Sequence, residues 1–271
     1  MAKPSVFPSA TPIRIRLDDN PRYRGSTHDD ETARKMGFKA ALVPGAFLYG
    51  HASRFAIEAW GLDWATRGAM EVRFRRPVYN GDVVTFHVSE ATREGERVTA
   101  ALSARNEDGE DVLTGWLALP DEPVAPPTLA SLPVPQPPDG RRPVTVGDLA
   151  VGEVCRTAPA ELSADDLRAS LDAFDERHTF YAETGLVHSG GLMRRAMFDV
   201  NSGYAFPAPL VLVGCETQHF APVKPGRVLS VSAVVSDVYE RRGRHYFQTD
   251  EHLIVDGRSV AARFRRTQIY A

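Results

Sequence analysis

The chain has 271 residues, of which 43% are hydrophobic and 25% charged, an ordinary composition for a protein with a packed core. A formal charge of −3 excludes a general nucleic-acid binder, which needs a basic face. Two distant cysteines, Cys155 and Cys215, exclude a disulfide framework and a cysteine-based metal site.

In chain order, residues 1–12 read as a loose tail without the apolar core of a signal peptide. Residues 13–17 alternate apolar and charged side chains, the period of a half-buried strand. Asp29 or Asp30 can cap a short helix that contains Ala33 and Met36 and ends at Gly37. Residues 42–60 predict a long helix, apolar on nearly every side at its start and therefore buried. Pro44 suits its first turn and Gly61 its end. Gly45 and Ala46 carry almost no side chain, so a carbonyl oxygen or an anion can approach the bare N–H groups of the helix start. Strands are expected at 69–76, 83–91, 97–105 and 112–119, with Glu94-Gly95 and Asp108-Gly109 as tight turns. Nine of the twenty prolines fall between Pro120 and Pro143, which predicts a semi-rigid linker. Beyond it, Ser163 caps a helix carrying Leu167, Leu171 and Phe174. A second central helix spans 189–201, and strands follow at 210–219, 228–239, 244–255 and 259–270.

Two phrases recur. Leu186-Val187-His188-Ser189-Gly190 repeats Leu42-Val43-Pro44-Gly45, and Pro222-Val223-Lys224-Pro225-Gly226 repeats Pro77-Val78-Tyr79-Asn80-Gly81. Both pairs are displaced by nearly the same interval, which indicates an internal duplication. The expected fold class is α+β: an N-terminal domain over 1–119, a linker over 120–143 and a C-terminal domain over 144–271, each one long helix wrapped by an antiparallel sheet.

That arrangement resembles a double hotdog. Gly37-Phe38-Lys39-Ala40-Ala41-Leu42-Val43-Pro44-Gly45, preceded by His28-Asp29-Asp30 and Ala33, resembles the entry to the central helix in MaoC-like (R)-specific enoyl-CoA hydratases and dehydratases. Arg73-Phe74-Arg75-Arg76-Pro77-Val78 and Gly81-Asp82 resemble that family's following strand and turn. The resemblance covers most of both halves. It implies a lyase in which an acid and a histidine hold one water that adds across the α,β-double bond of an acyl thioester, or leaves it. A helix-start N–H polarises the carbonyl, and arginines meet the CoA phosphates. CoA enters as part of the substrate, and no other cofactor is implied. The implied setting is the cytoplasm, with no membrane or nucleic-acid partner; two halves in one chain can imitate a hotdog pair, so a monomer and a homodimer both fit.

The family motif Asp-x-Asn-Pro-x-His is matched by Asp18-Asp19-Asn20-Pro21-Arg22-Tyr23, with tyrosine for histidine and ten residues rather than about six before Ala33. The catalytic candidates are therefore His28 and Asp29, read either as a proton-transfer pair or as an exposed histidine beside a helix cap. The substrate-binding candidates are Gly45 and Ala46 in the first half and His188 and Gly190 in the second. For the glycines the alternative is close packing; for His188 it is a bond to backbone. His51, His219, His245 and His252 read as structural. Arg73, Arg75 and Arg76 suit either CoA phosphates or the charged outer face of a strand. A non-catalytic acyl-CoA-binding or partner-binding protein is the alternative function. A thioesterase comes third, because Glu58 is the acid on the first central helix and lies far from its start.

Overall fold

A computed structural model describes residues 7–17 and 20–271, together with the backbone but not the side chain of Arg22. The N-terminal half contains β1 (Ser9–Arg14), α1 (Asp30–Lys35), α2 (Gly45–Arg67), β2 (Ala69–Phe74), β3 (Val83–Val88), β4 (Thr92–Glu94), β5 (Arg97–Arg105) and β6 (Asp111–Pro120). After the proline-rich stretch come β7 (Arg142–Pro143), β8 (Ala160–Leu162), α3 (Ala164–Ala173), α4 (Thr179–Thr184), α5 (Ser189–Ser202), β9 (Tyr204–Ala205), β10 (Val211–His219), β11 (Arg227–Arg241), β12 (Arg244–Val255) and β13 (Ser259–Ile269).

Alternation places the long strands well because they bury one face. Along β12, Phe247, Thr249, Glu251 and Leu253 are buried while their neighbours are partly exposed, the period-two pattern of a sheet covered on one side. The N-terminal strand is displaced from its expected position. It runs from Ser9 to Arg14, antiparallel to β3 from Ser9↔Val88 to Arg14↔Val83. Its register is thus set by a partner some seventy residues away. Pro12 is accommodated because β1 is an edge strand.

Each half does not close its own sheet. The strand order is β1-β3-β5-β6-β2-β10-β13-β12-β11-β8, with β4 added beside β5, so eleven strands form one antiparallel sheet. The halves join at β2–β10, in register from Gly214↔Arg73 to Gln218↔Ala69. Helix α2 packs on β2, β6 and β10, α5 packs on β11 and β12, and the two helices touch each other. Helix α2 does not stop at Gly61. That residue takes φ +52°, ψ −127° as a kink, and helix resumes to Arg67. Trp64 in the resumed part is fully buried, so tertiary burial there outweighs the local break. Among the described residues, no helix is long and apolar enough to cross a membrane.

Candidate functional site

The first part of the site is the start of α2. Pro44 occupies the N-cap with φ −54° and ψ 133° and has no side-chain acceptor to offer. The first N–H groups of the helix are therefore left to bonds such as Phe47 N to the Pro44 carbonyl, 2.8 Å. A Cβ on Gly45 would lie 3.1 Å from the Phe74 ring, so glycine here also permits close packing against β2.

His28 is brought to this helix start by two bonds to one residue. The Leu42 N–H donates to the Thr27 carbonyl at 2.9 Å, and the Leu42 carbonyl lies 2.7 Å from His28 Nδ1. A carbonyl only accepts, so Nδ1 carries the proton and a neutral ring keeps its lone pair on Nε2. Four residues, 24–27, separate Tyr23 from His28 and turn back on themselves. Ser26 N–H donates to the Tyr23 carbonyl at 2.9 Å, and Ser26 Oγ accepts from His28 N–H at 3.1 Å. The rings of Tyr23 and His28 meet edge-on, 5.4 Å apart. The extra length in the Asn20–Tyr23 motif is thus absorbed by a turn, and Asn20, Tyr23 and His28 face the same cavity. Asp18 and Asp19 of that motif lie outside the described residues.

That cavity measures about 480 Å³. It runs from His28, Gly45 and Ala46 past the apolar Val43, Leu48, Phe74 and Val78 to Met197 and Phe198 on α5 and Leu212 on β10. Among the described residues, no aspartate or glutamate lines it, whereas Arg75, Arg76, Arg141 and Arg194 do. Arg75 donates from Nε to Thr114 Oγ1 at 2.8 Å, and Arg76 pairs with Glu110 at 3.1 Å. Arg73 instead pairs with Glu71 on the open face and does not line the cavity.

Asp29 does not stand with His28 in this cavity. Its carboxylate accepts from Thr32 N–H at 3.1 Å and Thr32 Oγ1 at 2.8 Å, capping α1. These bonds hold its pKa below the usual value. It lines instead a neighbouring surface groove, which His28, Asn20 and Tyr23 also line.

The second-half candidates lie elsewhere. His188 is fully buried, and its Nδ1 accepts from Gly190 N–H at 3.0 Å, capping α5. This acceptance places the ring proton on Nε2, which faces Glu176 Oε2 at 3.7 Å, beyond hydrogen-bond range. The ring lies between Phe174 and Tyr181, with centroids 4.6 and 5.0 Å away. Burial pushes the His188 pKa down, partly opposed by Glu176, so the ring is neutral near pH 7. A Cβ on Gly190 would come within 2.7 Å of Phe174 and 3.0 Å of the Gly50 backbone. Gly190 is thus a packing glycine where the two helices meet. Neither His188 nor Gly190 lines the cavity.

Two buried arrangements had no motif to announce them. Tyr49 Oη lies 2.9 Å from Ser189 Oγ and 2.8 Å from Thr217 Oγ1, and Ser189 Oγ lies 2.9 Å from His219 Nε2. This chain bridges α2, α5 and β10 across the seam. In the second, Arg266 and Glu251 are fully buried and ion-paired, with Thr249 donating to Glu251 at 2.6 Å. Period-two burial of β12 and β13 was the available signal for the second; nothing local marks the first. Among the described residues, no three of His, Cys, Asp and Glu converge as a metal set.

No protein-family model matches the sequence, and no curated protein matches it. Solved structures do match in fold. A Chloroflexus aurantiacus protein described as a MaoC domain protein dehydratase aligns with TM-score 0.64 and 14% identity over 97% of this chain and 95% of its own. A Mycobacterium tuberculosis protein described as having a double hotdog fold, and as essential for bacterial survival during infection, aligns with TM-score 0.63 and 14% identity over 97% and 96%. A Lactobacillus plantarum protein described as an oleoyl thioesterase aligns with TM-score 0.52 and 13% identity over 97% of both chains. The chain has a double hotdog fold, an architecture found in proteins described both as dehydratases and as thioesterases.

Proposed function

We propose that the protein is an acyl-thioester hydratase or dehydratase of the enoyl-CoA type, with its reacting centre in the N-terminal half. The observation that carries this reading is His28, with Nδ1 fixed by the Leu42 carbonyl at 2.7 Å, in one cavity with the start of α2. In the hydration direction, Nε2 takes a proton from water as the water oxygen bonds to the β-carbon. Electron density moves to the thioester oxygen, where Gly45 and Ala46 N–H groups stabilise the enolate as its charge forms. The imidazolium then returns the proton to the α-carbon, so one water has been added and His28 is again neutral. The apolar part of the cavity takes the acyl chain, and Arg75 and Arg76 suit the phosphates of the carrier. The neighbours described as MaoC dehydratases support this reading.

The second reading is a non-catalytic acyl-CoA binder. It is favoured by one observation: no carboxylate among the described residues lines the cavity at the start of α2, and Asp29 meets His28 only in the adjoining groove. A thioesterase has less support. Glu58 is thirteen residues into α2, about 20 Å along the axis, and it is paired with Arg54 at 2.9 Å.

The test is turnover of short- and medium-chain enoyl-CoA esters, followed by loss of the enoyl absorbance, with thiol release monitored in parallel. Hydration abolished by His28→Ala supports the first reading. Saturable binding without turnover of any ester establishes the second, and thiol release without hydration would replace both with the thioesterase.

A further inference from the structure

The end of the cavity remote from His28 is not apolar. Gln268 lines it, although only 2% of the residue is exposed. On β13 it shares a face with Arg266, whose guanidinium donates to Gln268 Oε1. Arg266 is itself fixed by Glu251, whose carboxylate also accepts from Thr249 Oγ1. A guanidinium only donates, so the amide is held with Oε1 on Arg266, and Nε2 is the group left to donate elsewhere. Asn201, on α5, lines the same cavity, and its Oδ1 is buried without a hydrogen-bond partner. Net stability is a poor explanation for the ion pair beneath, since a buried pair roughly repays its own desolvation. Its visible effect is to orient one amide.

The position of these groups relative to the reacting centre follows from strand register. Gln268 is opposite Leu212, and Gly214 is opposite Arg73. Gln268 therefore lies two strands from the end of β2, about 10 Å across the sheet. Phe74, at that end, packs against Gly45. An acyl chain whose thioester sits at Gly45 would meet the amides several carbons past its double bond. A plain alkyl chain would leave Asn201 Oδ1 unpaired and offer Gln268 Nε2 nothing to donate to, which is costly for buried groups. Arg266 is neutralised by Glu251, so the pair adds no net charge at this end.

We propose that the acyl chain taken by this protein is hydroxylated, and that Gln268, oriented by Arg266 and Glu251, is the specificity-determining residue, with Asn201 accepting from the hydroxyl-bearing chain. A hydroxyl both accepts and donates; a ketone would satisfy Gln268 alone. The proposal rests on the acyl-thioester reading.

The experiment is isothermal titration calorimetry of the full chain with saturated esters, which have no double bond to hydrate. The probes are octanoyl-CoA, a series of octanoyl-CoA esters hydroxylated one carbon at a time beyond the β-carbon, a matching ketone and the ω-carboxylate. At least one hydroxylated ester should bind about tenfold more tightly than octanoyl-CoA, the value of roughly one well-made buried hydrogen bond. In Gln268→Met and in Asn201→Leu that preference should collapse, with hydroxylated and plain chains binding alike. Equal binding of all esters by the wild-type protein overturns the proposal and leaves the acyl reading intact, as does tightest binding of the ketone or the carboxylate. Binding of none overturns the acyl reading and the proposal together. Should Gln268→Met fail to fold, the wild-type series and Asn201→Leu still decide.

Discussion

The starts of α2 and α5 carry a similar sequence phrase and are in opposite states. At α2 the N-cap is Pro44, which offers no side-chain acceptor, and the helix start faces a cavity shared with His28. At α5 the N-cap is His188, which accepts from Gly190 N–H, and Phe174 and Tyr181 close over it. The same helix end serves as a ligand site when its N–H groups face a cavity, and as a packing joint when a side chain takes them. The difference lies in what precedes each helix. Before α2 a turn delivers an imidazole. Before α5, α3 and α4 deliver two aromatic rings and leave Glu176 buried beside His188. The scaffold occurs twice, with one opening.

Breaking the open end should have the largest effect. His28→Ala is expected to lower kcat/KM by about 10²–10⁴ fold, the usual range for losing a general base, while the melting temperature barely moves. A comparable loss in Asp29→Asn would give a proton-transfer role to a residue that caps α1 and lines the groove beside His28. Emptying the closed end should act on stability instead. Phe174→Ala removes a ring packed against His188, Phe47 and both helices, and about 3–5 kcal/mol should be lost in urea unfolding. Turnover at the His28 end should persist in the fraction that remains folded.

Gly190→Ala and Gly45→Ala compare the two ends directly. The added methyl at residue 190 meets Phe174 at 2.7 Å and the Gly50 backbone, whereas at residue 45 it meets only the Phe74 ring, at 3.1 Å. Overpacking should cost Gly190→Ala about 1–3 kcal/mol and Gly45→Ala less, while only the latter should weaken thioester binding. Equal stability losses would erase the distinction.

The smallest effect is a pH dependence. His51, His188 and His219 are buried, and desolvation lowers all three pKa values, to about 4 for His51 and His219. Their folded values lie below the unfolded value near 6.5. The stability they contribute is therefore present above pH 6.5 and is lost as the pH falls towards 4, because the unfolded chain takes up protons that the folded chain refuses. Melting temperatures at pH 7, 6 and 5 should fall in that order. Replacing His188 with Gln should flatten part of the trend, and a profile indifferent to His188 would mean that the closed end is wetter than its burial indicates.

Much of this was legible in the sequence because it is local. Period-two burial placed β5 and β12 to the residue, and Ser163 with Asp166 announced a capping box that is present. The duplicated phrase marked both helix starts. The errors share one cause. Ser9–Arg14 became a strand because β3 pairs with it. Gly61 failed to end α2 because Trp64 is buried beyond it. His188 was read either as a thioester contact or as bonded to backbone; it accepts from Gly190 N–H and is buried beneath two rings.

The sequence by itself determined two central helices, their order among the strands, and the small residues Gly45 and Ala46 at the start of the first, since periodicity, caps and turns act over a few residues. Tertiary structure alone decided that the two halves would share one sheet through β2 and β10, that a turn would fold His28 back onto Leu42, and that one helix end would be filled. Those outcomes depend on contacts between residues far apart in the chain, where space is shared by side chains that no local pattern can compare.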